Sequence, residues 1–312
     1  MYKEYLIKST IKVVDIDHGL GHPLSKFVYQ VFKGNDAVTH SAITRWIKSG
    51  LIRVNSNIVP KNYHLLHLDL IQIAVPNPIK VQDLWPLDVV YEDEHLMIIN
   101  KSADLSSHGS RGDHRVNLTH IINNSYAKQA ALPRSGIVNR LDKDTTGLMI
   151  VARTIEALES LQDMMRARDI DRRYLALVHG VFELKAGTIN LYMKKDHTRR
   201  RMRISKDPTD LEAITHYKVL HTAKDYSLVE CKLATGRTHQ IRVHMAGMKH
   251  PVVADRKYSR SNYAGVQIKR QALHAHRLNF IHPVTKKEIK IEQALSEDMA
   301  QAWALLEKID HD

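Results

Sequence analysis

Apolar positions recur along the chain with helical spacing in some stretches and in alternation in others, and the changes of period mark the elements. Residues 22–32 and 40–49 carry helical spacing. Thr39 or Ser41 is placed to cap the second helix, and Gly50 to end it. Leu51–Asn55 and Leu70–Val75 then alternate as strands. Two short helices leading into a small β-hairpin form a unit with little core, which predicts an accessory module. Pro76-Asn77-Pro78 interrupts regular structure and reads as a linker closed by Trp85-Pro86. The expected division is therefore a small domain at 1–78 and a larger body at 79–312.

The body has a different pattern. Val89–Tyr91 and Leu96–Asn100 read as strands around the acidic turn Glu92-Asp93-Glu94, and Gly147–Ala152 is an unbroken apolar run of buried-strand length. Ile155, Leu158, Leu161, Met164 and Met165 have the spacing of an amphipathic helix over 154–168. Strands are predicted at 173–179, at 211–221 and 226–234 with a turn at Lys224-Asp225, and near 273–281 and 288–292. A helix over 239–247 has Thr238 as its cap, Gly247 at its end and Pro251 beyond, and a last helix runs from Ser296 to about 308. Many antiparallel-looking strands with few helices predict an α+β fold with a mixed, largely antiparallel sheet.

Charge narrows the partners. Lys and Arg number 46 against 34 Asp and Glu, a formal +12, with 20 His besides. With 26% charged and 43% apolar residues the chain is globular, and 13 Gly and 9 Pro exclude collagen-like and low-complexity classes. Cys231 is alone, so no internal disulfide and no paired-cysteine metal site can form, which fits a reducing, cytoplasmic compartment. The first eight residues are interrupted by charge too often for a secretory signal, and no apolar run has membrane-spanning length. Nucleic acid is the first candidate partner for the surplus charge, an anionic membrane surface the second, and a merely solubilising surface the third.

Three segments carry candidate chemistry. Gly136–Gly147 is a polar loop between apolar strands, where reacting groups are commonly held, although an isolated aspartate there is more often a turn or cap. Thr235–Met245 opens a helix whose free amides favour anions. Its neighbouring histidines, at 239, 244 and 250, lack zinc-site spacing and read as filler. Lys194–Lys206 sets seven Lys and Arg against one acidic residue, which predicts a mobile phosphate-binding loop.

In this order the segments resemble the RluA/RluD family of RNA pseudouridine synthases. Asn139-Arg140-Leu141-Asp142-Lys143-Asp144-Thr145-Thr146-Gly147 looks like its H-R-L-D-x-x-T-S/T-G signature, and the segment at Arg173-Tyr174-Leu175-Ala176 is similar to its K/R-x-Y-x-A. Gly236–Met245 resembles its G-R-T-H-Q-I-R-V-H-M segment, continued by His250-Pro251, Asp255 and Tyr258, and Arg270–Ala275 and His282-Pro283 resemble its C-terminal strands. The resemblance covers about residues 10–75 and 85–300. It implies an N-terminal RNA-binding domain of the ribosomal-protein-S4 type, with Arg45 and Lys48 as its RNA-binding candidates. The Lys-Asp-Thr-Thr-Gly form and the Arg134 entry look most like the branch acting on large-subunit ribosomal RNA, as free RNA or as a pre-ribosomal particle.

The resemblance also implies roles. Asp142 is the catalytic aspartate, either attacking the substrate or taking a proton from the sugar, and Arg242 is the partner that keeps it ionised and oriented. Tyr174 stacks on the target base and is the candidate base for its C5 proton, which needs help from a nearby cation. Arg140 fills the place of the flipped base, and Arg237 with Arg199, Arg200 and Arg201 holds phosphates. No cofactor and no metal are implied, and the expected state is a monomer. Asn139 stands where the family has histidine but can still hydrogen-bond to RNA, and Ser102 replaces a proline. His22-Pro23-Leu24, His40, Ala42, Ser56 and His67 depart from the N-terminal pattern, which predicts weaker or altered RNA docking there. A catalytically silent RNA-binding assembly factor of the same fold is the alternative. A metal-dependent nuclease lacks the paired carboxylates and histidine spacing it would need.

Overall fold

The computed structural model describes residues 6–13, 20–32, 40–76, 86–108, 116–126, 129, 131–199, 201–259 and 268–311. They fall into two compact units, 1–85 with 108–121, and 86–107 with 122–312. Thr39, linker residues 77–85 and Arg200 lie outside the described residues.

In the first unit β1 (Leu6–Lys12) precedes α1 (Leu24–Val31), α2 (His40–Lys48), β2 (Ile52–Val54) and β3 (Leu70–Pro76). The expected β2–β3 hairpin forms, with Ile52 opposite Ile73, but β1 pairs along the other edge of β3 to make three strands. Its lysines at 8 and 12 and its Ser-Thr pair obscure the alternation. Phe27 and Val28 of α1 and Ile43, Trp46 and Ile47 of α2 close an apolar core against Ile52, Ile71 and Ile73.

The second unit begins with β4 (Val89–Glu92) and β5 (Leu96–Lys101). Helix α3 (Leu118–Ser125), for which the periodicity held no signal, crosses the boundary between the two units. Then follow β6 (Thr146–Ala152), α4 (Ile155–Ala167), β7 (Asp171–His179), β8 (Ala186–Asp196), β9 (Arg201–Ser205), β10 (Leu211–Ala223) and β11 (Tyr226–Leu233). The chain ends with α5 (Gln240–Gly247), β12 (Leu273–Ile281), β13 (Glu288–Glu292) and α6 (Glu297–His311). Among the described residues the sheet runs β4-β5-β6-β12-β7-β11-β10-β8-β9. Its pairings are antiparallel except β6 with β12, where His274 and Ala275 lie beside Thr146 and Gly147. Further along, the same edge of β12 takes β13.

Every residue of β6 is buried, as its unbroken apolar run requires of a strand covered on both faces. Thr154 caps α4 through its side chain, and Leu158 and Leu161 pack on Leu148 and Ile150. Ile155 is instead exposed. The 194–206 stretch is a hairpin and not a loop. Lys194 pairs with Arg203 and Asp196 with Arg201 across β8 and β9, with buried Met193 and Met202 holding one face. No helix among the described residues is long and apolar enough to cross a membrane.

Candidate active site

The loop carrying Asp142 is bound to its own outgoing strand. Ile137 bridges to Val151, and the Val138 amide donates to the Ile150 carbonyl at 3.0 Å. The Ile150 amide in turn donates to Asn139 Oδ1 at 2.7 Å. The chain then leaves the sheet for Arg140–Asp144 and returns through a turn in which the Thr145 amide donates to the Asp142 carbonyl at 3.0 Å. It re-enters β6 at Gly147, with φ +111°, where a Cβ would sit 2.2 Å from the Ala275 carbonyl oxygen of β12. Only glycine allows β6 and β12 to approach this closely.

Two buried cations hold this loop from behind by its carbonyls. Lys101 Nζ donates to Ser102, Leu105 and Lys143 at 2.7, 2.9 and 2.9 Å. Burial pulls its pKa down to about 7, against the charges of Asp144 and Asp142. Arg270 donates to the Asp144 carbonyl at 3.1 Å and grips Asp298 of α6 with two nitrogens at 2.7 Å each.

Helix α5 supplies the opposing group. Arg242 Nη1 donates to Asp142 Oδ2 at 2.7 Å, while its Nε and Nη2 donate to the two oxygens of Asp255 at 2.7 and 2.8 Å. Asp255 is fully buried and also receives the amides of Lys257 and Tyr258. The bidentate grip on Asp255 fixes the guanidinium plane and leaves one nitrogen aimed at Asp142. Burial works against the charge of Arg242, but the bonds and charges of Asp255 and Asp142 outweigh it and raise its pKa.

His239, not Thr238, is the cap of α5. It takes φ +58°, and its side chain makes no cap bond to the helix. The free amide of Arg237 goes instead to Gln240 Oε1 at 2.9 Å, which also accepts from Thr235 Oγ1. The imidazole faces the site. Tyr258 Oη accepts the Met202 amide at 3.0 Å and shares a hydrogen bond of 2.8 Å with His239 Nδ1. The other ring nitrogen, Nε2, stands 3.9 Å from Asp142 Oδ2. Burial lowers the pKa of His239, opposed by the charge of Asp142.

Between loop and helix lies a cleft of about 500 Å³, whose lining includes Asp142, Tyr174, Arg237, His239, Arg242 and Leu273. This is within the usual range for small-ligand sites, about 300–1,000 Å³. Tyr174 of β7 is 5% exposed, and burial pushes its phenol pKa up; Arg172 pulls it down and Asp142 adds to the rise.

Asp142, Tyr174, Arg242, Arg140, Asn139 and Arg237 thus meet at one cleft. Arg140 is exposed there, and Asn139 is buried, with Oδ1 spent on the Ile150 amide. Arg237 Nε donates to the Glu212 carbonyl at 2.8 Å. Arg199 and Arg201 lie outside the lining. Arg199 is on the β8–β9 turn, and Arg201 donates to the Lys257 carbonyl at 2.9 Å. Arg45 and Lys48 are exposed on α2 in the other unit. Sequence reasoning assigned no role to Asp255, Lys101, Arg270 or His239, or to Arg172, which also lines the cleft. The only signal for Asp255, Arg270 and His239 was membership of the matched motifs, and Lys101 and Arg172 lie outside the residues quoted for them.

The family model described as RNA pseudouridylate synthase matches residues 95–247. A Xylella fastidiosa protein named Ribosomal large subunit pseudouridine synthase D is 38% identical over 86% of this chain and 85% of its own length. A Bacillus subtilis protein named Uncharacterized RNA pseudouridine synthase YlyB is 35% identical over 86% and 90%. Among solved structures, Human RNA Pseudouridylate Synthase Domain Containing 1 superposes with a TM-score of 0.54 at 25% identity, covering 70% of this chain and 86% of that one. Human RNA Pseudouridylate Synthase Domain Containing 4 shares the fold, with a TM-score of 0.56 at 24% identity over 70% and 92%.

Proposed function

The chain belongs to the RNA pseudouridylate synthase family, and from that premise we propose that it isomerises specific uridines of large-subunit ribosomal RNA, with Asp142 as its catalytic aspartate. The observation that carries this reading is the Asp142–Arg242–Asp255 chain at the cleft, with Tyr174 beside it. Pseudouridine formation releases uracil from C1′, turns it and rejoins it through C5. A carboxylate held by one guanidinium nitrogen keeps its second oxygen for the substrate. That oxygen serves attack on the substrate or removal of a ribose proton to start elimination, and both need the same ionised, oriented group. Tyr174 stacks on the released uracil and holds it while it turns. As the acceptor of the C5 proton it depends on a cation to offset its burial, and Arg172 is the one that acts on its phenol.

The target nucleotide leaves its helix to enter the cleft, at a cost of a few kcal/mol. Arg140, exposed beside the cleft, takes the vacated place, and Arg237 holds a phosphate. Residues 1–78 form a separate RNA-docking domain of the ribosomal-protein-S4 type, and the enzyme works as a cytoplasmic monomer. The name of the Xylella fastidiosa relative supports the large-subunit target.

Release of tritium from C5-labelled uridine in large-subunit ribosomal RNA tests the reading. Wild-type protein releases it and Asp142→Asn does not. No release by the wild type, or undiminished release by the variant, overturns it. Carbodiimide treatment and reverse-transcriptase mapping in cells lacking the protein identify the uridines, as the stops that disappear.

A further inference from the structure

We infer that Arg172 is a substrate-binding residue of this cleft, taking an anionic oxygen of the uridine nucleotide. The inference rests on the reading of the cleft as a pseudouridine synthase site.

Strand β7 alternates at its start. Asp171 and Arg173 face one way, where Arg173 is tied to Asp171 at 3.0 Å and to Glu230 at 2.9 Å. Arg172 and Tyr174 face the other way and line the cleft, only 7% and 5% exposed. The two arginines are neighbours in sequence with opposite fates. Arg173 is neutralised by two carboxylates. Arg172 makes no hydrogen bond or ion pair among the described residues, and its Nε is enclosed without a partner.

The other arginines of the lining differ. Arg166 is bonded to Asp163, Arg168 to Glu212, Arg237 to the Glu212 carbonyl and Arg242 to two aspartates. Arg140 is exposed and can rely on water. Arg172 has for its Nη groups only the water that enters the cleft, and a guanidinium stays charged in proteins. An unpaired buried charge is strongly unfavourable. It is retained where something absent from the free protein completes it.

The cleft wall is shaped around this group. A Cβ at Gly236 would lie 3.1 Å from Arg172 Nη1, so a side chain there would crowd the guanidinium. Its charge reaches the phenol of Tyr174, which places it beside the base-binding surface. Two sources of an anionic oxygen meet such a guanidinium. One is a phosphate of the flipped nucleotide. The other is a carbonyl oxygen of uracil, which gains charge when the base leaves C1′ with the bonding electrons.

The test compares wild type, Arg172→Lys and Arg172→Met for single-turnover tritium release, RNA affinity across a salt series, and thermal stability. A phosphate partner appears in Arg172→Met as RNA binding weakened about tenfold or more. The salt slope then falls by about one phosphate, and the rate at saturation is kept. A uracil partner appears as a rate lowered about 100-fold at saturation with unchanged affinity. Either pattern, partly rescued in Arg172→Lys, supports the inference. Removing an unpaired buried charge should also leave the melting temperature unchanged or raised. A Met variant that melts earlier or fails to fold assigns Arg172 a structural role and overturns the inference, as does a folded Met variant within twofold of wild type in rate and affinity. Release by the wild type separates these outcomes from failure of the functional reading itself.

Discussion

The two units spend buried polar groups very differently. In the first, the core is apolar, and Asp69 is the one buried charged side chain among the described residues. It is used locally, to join the Leu66 amide to Asn55. In the second, Lys101, Arg172, Arg242, Asp255 and Arg270 are all buried, within or behind one cleft. A small unit closed by apolar packing can present its chemistry only on its surface, as Arg45 and Lys48 do on α2. A larger sheet can enclose charge, and it does so where orientation has to be held to a fraction of an ångström. The difference is the one the proposed function expects of buried charges that serve a site rather than the fold, since replacing buried ion pairs by apolar residues is often neutral or stabilising.

The comparison breaks most sharply at Asp255. Asp255→Asn leaves the Arg242 guanidinium buried with half its compensation, and should cost about 3–5 kcal/mol. It should also abolish tritium release, because Arg242 is then no longer fixed toward Asp142. Urea unfolding and the release assay check the two effects together.

Acid is the next lever. Burial pulls His244 and His274 down to about 4 from an ordinary 6.5. Between these values the unfolded chain binds protons that the folded unit refuses. Their contribution is therefore complete above pH 6.5 and is lost as the pH falls to 4, by up to roughly 3 kcal/mol for each histidine. Urea midpoints at pH 7 and 4.5 should show the loss, and His244→Gln should reduce it by about half.

A smaller effect is expected at Lys101. Lys101→Met strips three carbonyls of their donor; two of the bonds are only part-buried and water can replace them, so the cost is about 1–3 kcal/mol in all. The loss should be partial in stability and larger in rate, since one of those carbonyls belongs to Lys143, next to Asp142. A rate loss no greater than the stability loss, measured at saturating RNA, would detach Lys101 from the loop's geometry.

The smallest effect contrasts the basic residues of the two units. Neutralising Arg199, Arg200 and Arg201 should weaken RNA binding and flatten its salt dependence more than neutralising Arg45 and Lys48. The slope should fall by about one phosphate for each cation withdrawn from the RNA backbone. Equal slopes from filter binding across a salt series would return the grip on RNA to the first unit.

How legible each feature was depends on where its partners lie. α4 showed in the spacing of Leu158 and Leu161, and β6 in its run of seven buried residues, because both signals are local. β8 and β9 were hidden because Lys194, Arg201 and Arg203 occupy the strand face that tolerates charge. The basic run therefore reads as a loop until Met193 and Met202 are seen buried. Asp142, Tyr174 and Arg242 were found through motif order, which marks residues without saying what holds them.

The chain by itself determined the α+β class and most helices and strands, and it named the candidate residues of the reaction, because period and motif are written along the backbone. Apart from Asp142 with Arg242, which the resemblance implied, only the tertiary structure decided which charges are paired. Arg242 meets Asp142 across 100 positions, and Arg270 meets Asp144 across 126. Arg172 and Arg173, adjacent and chemically identical, are separated only by the two faces of a strand. The free energy of a buried charge is set by the atoms around it, and those are chosen by the fold.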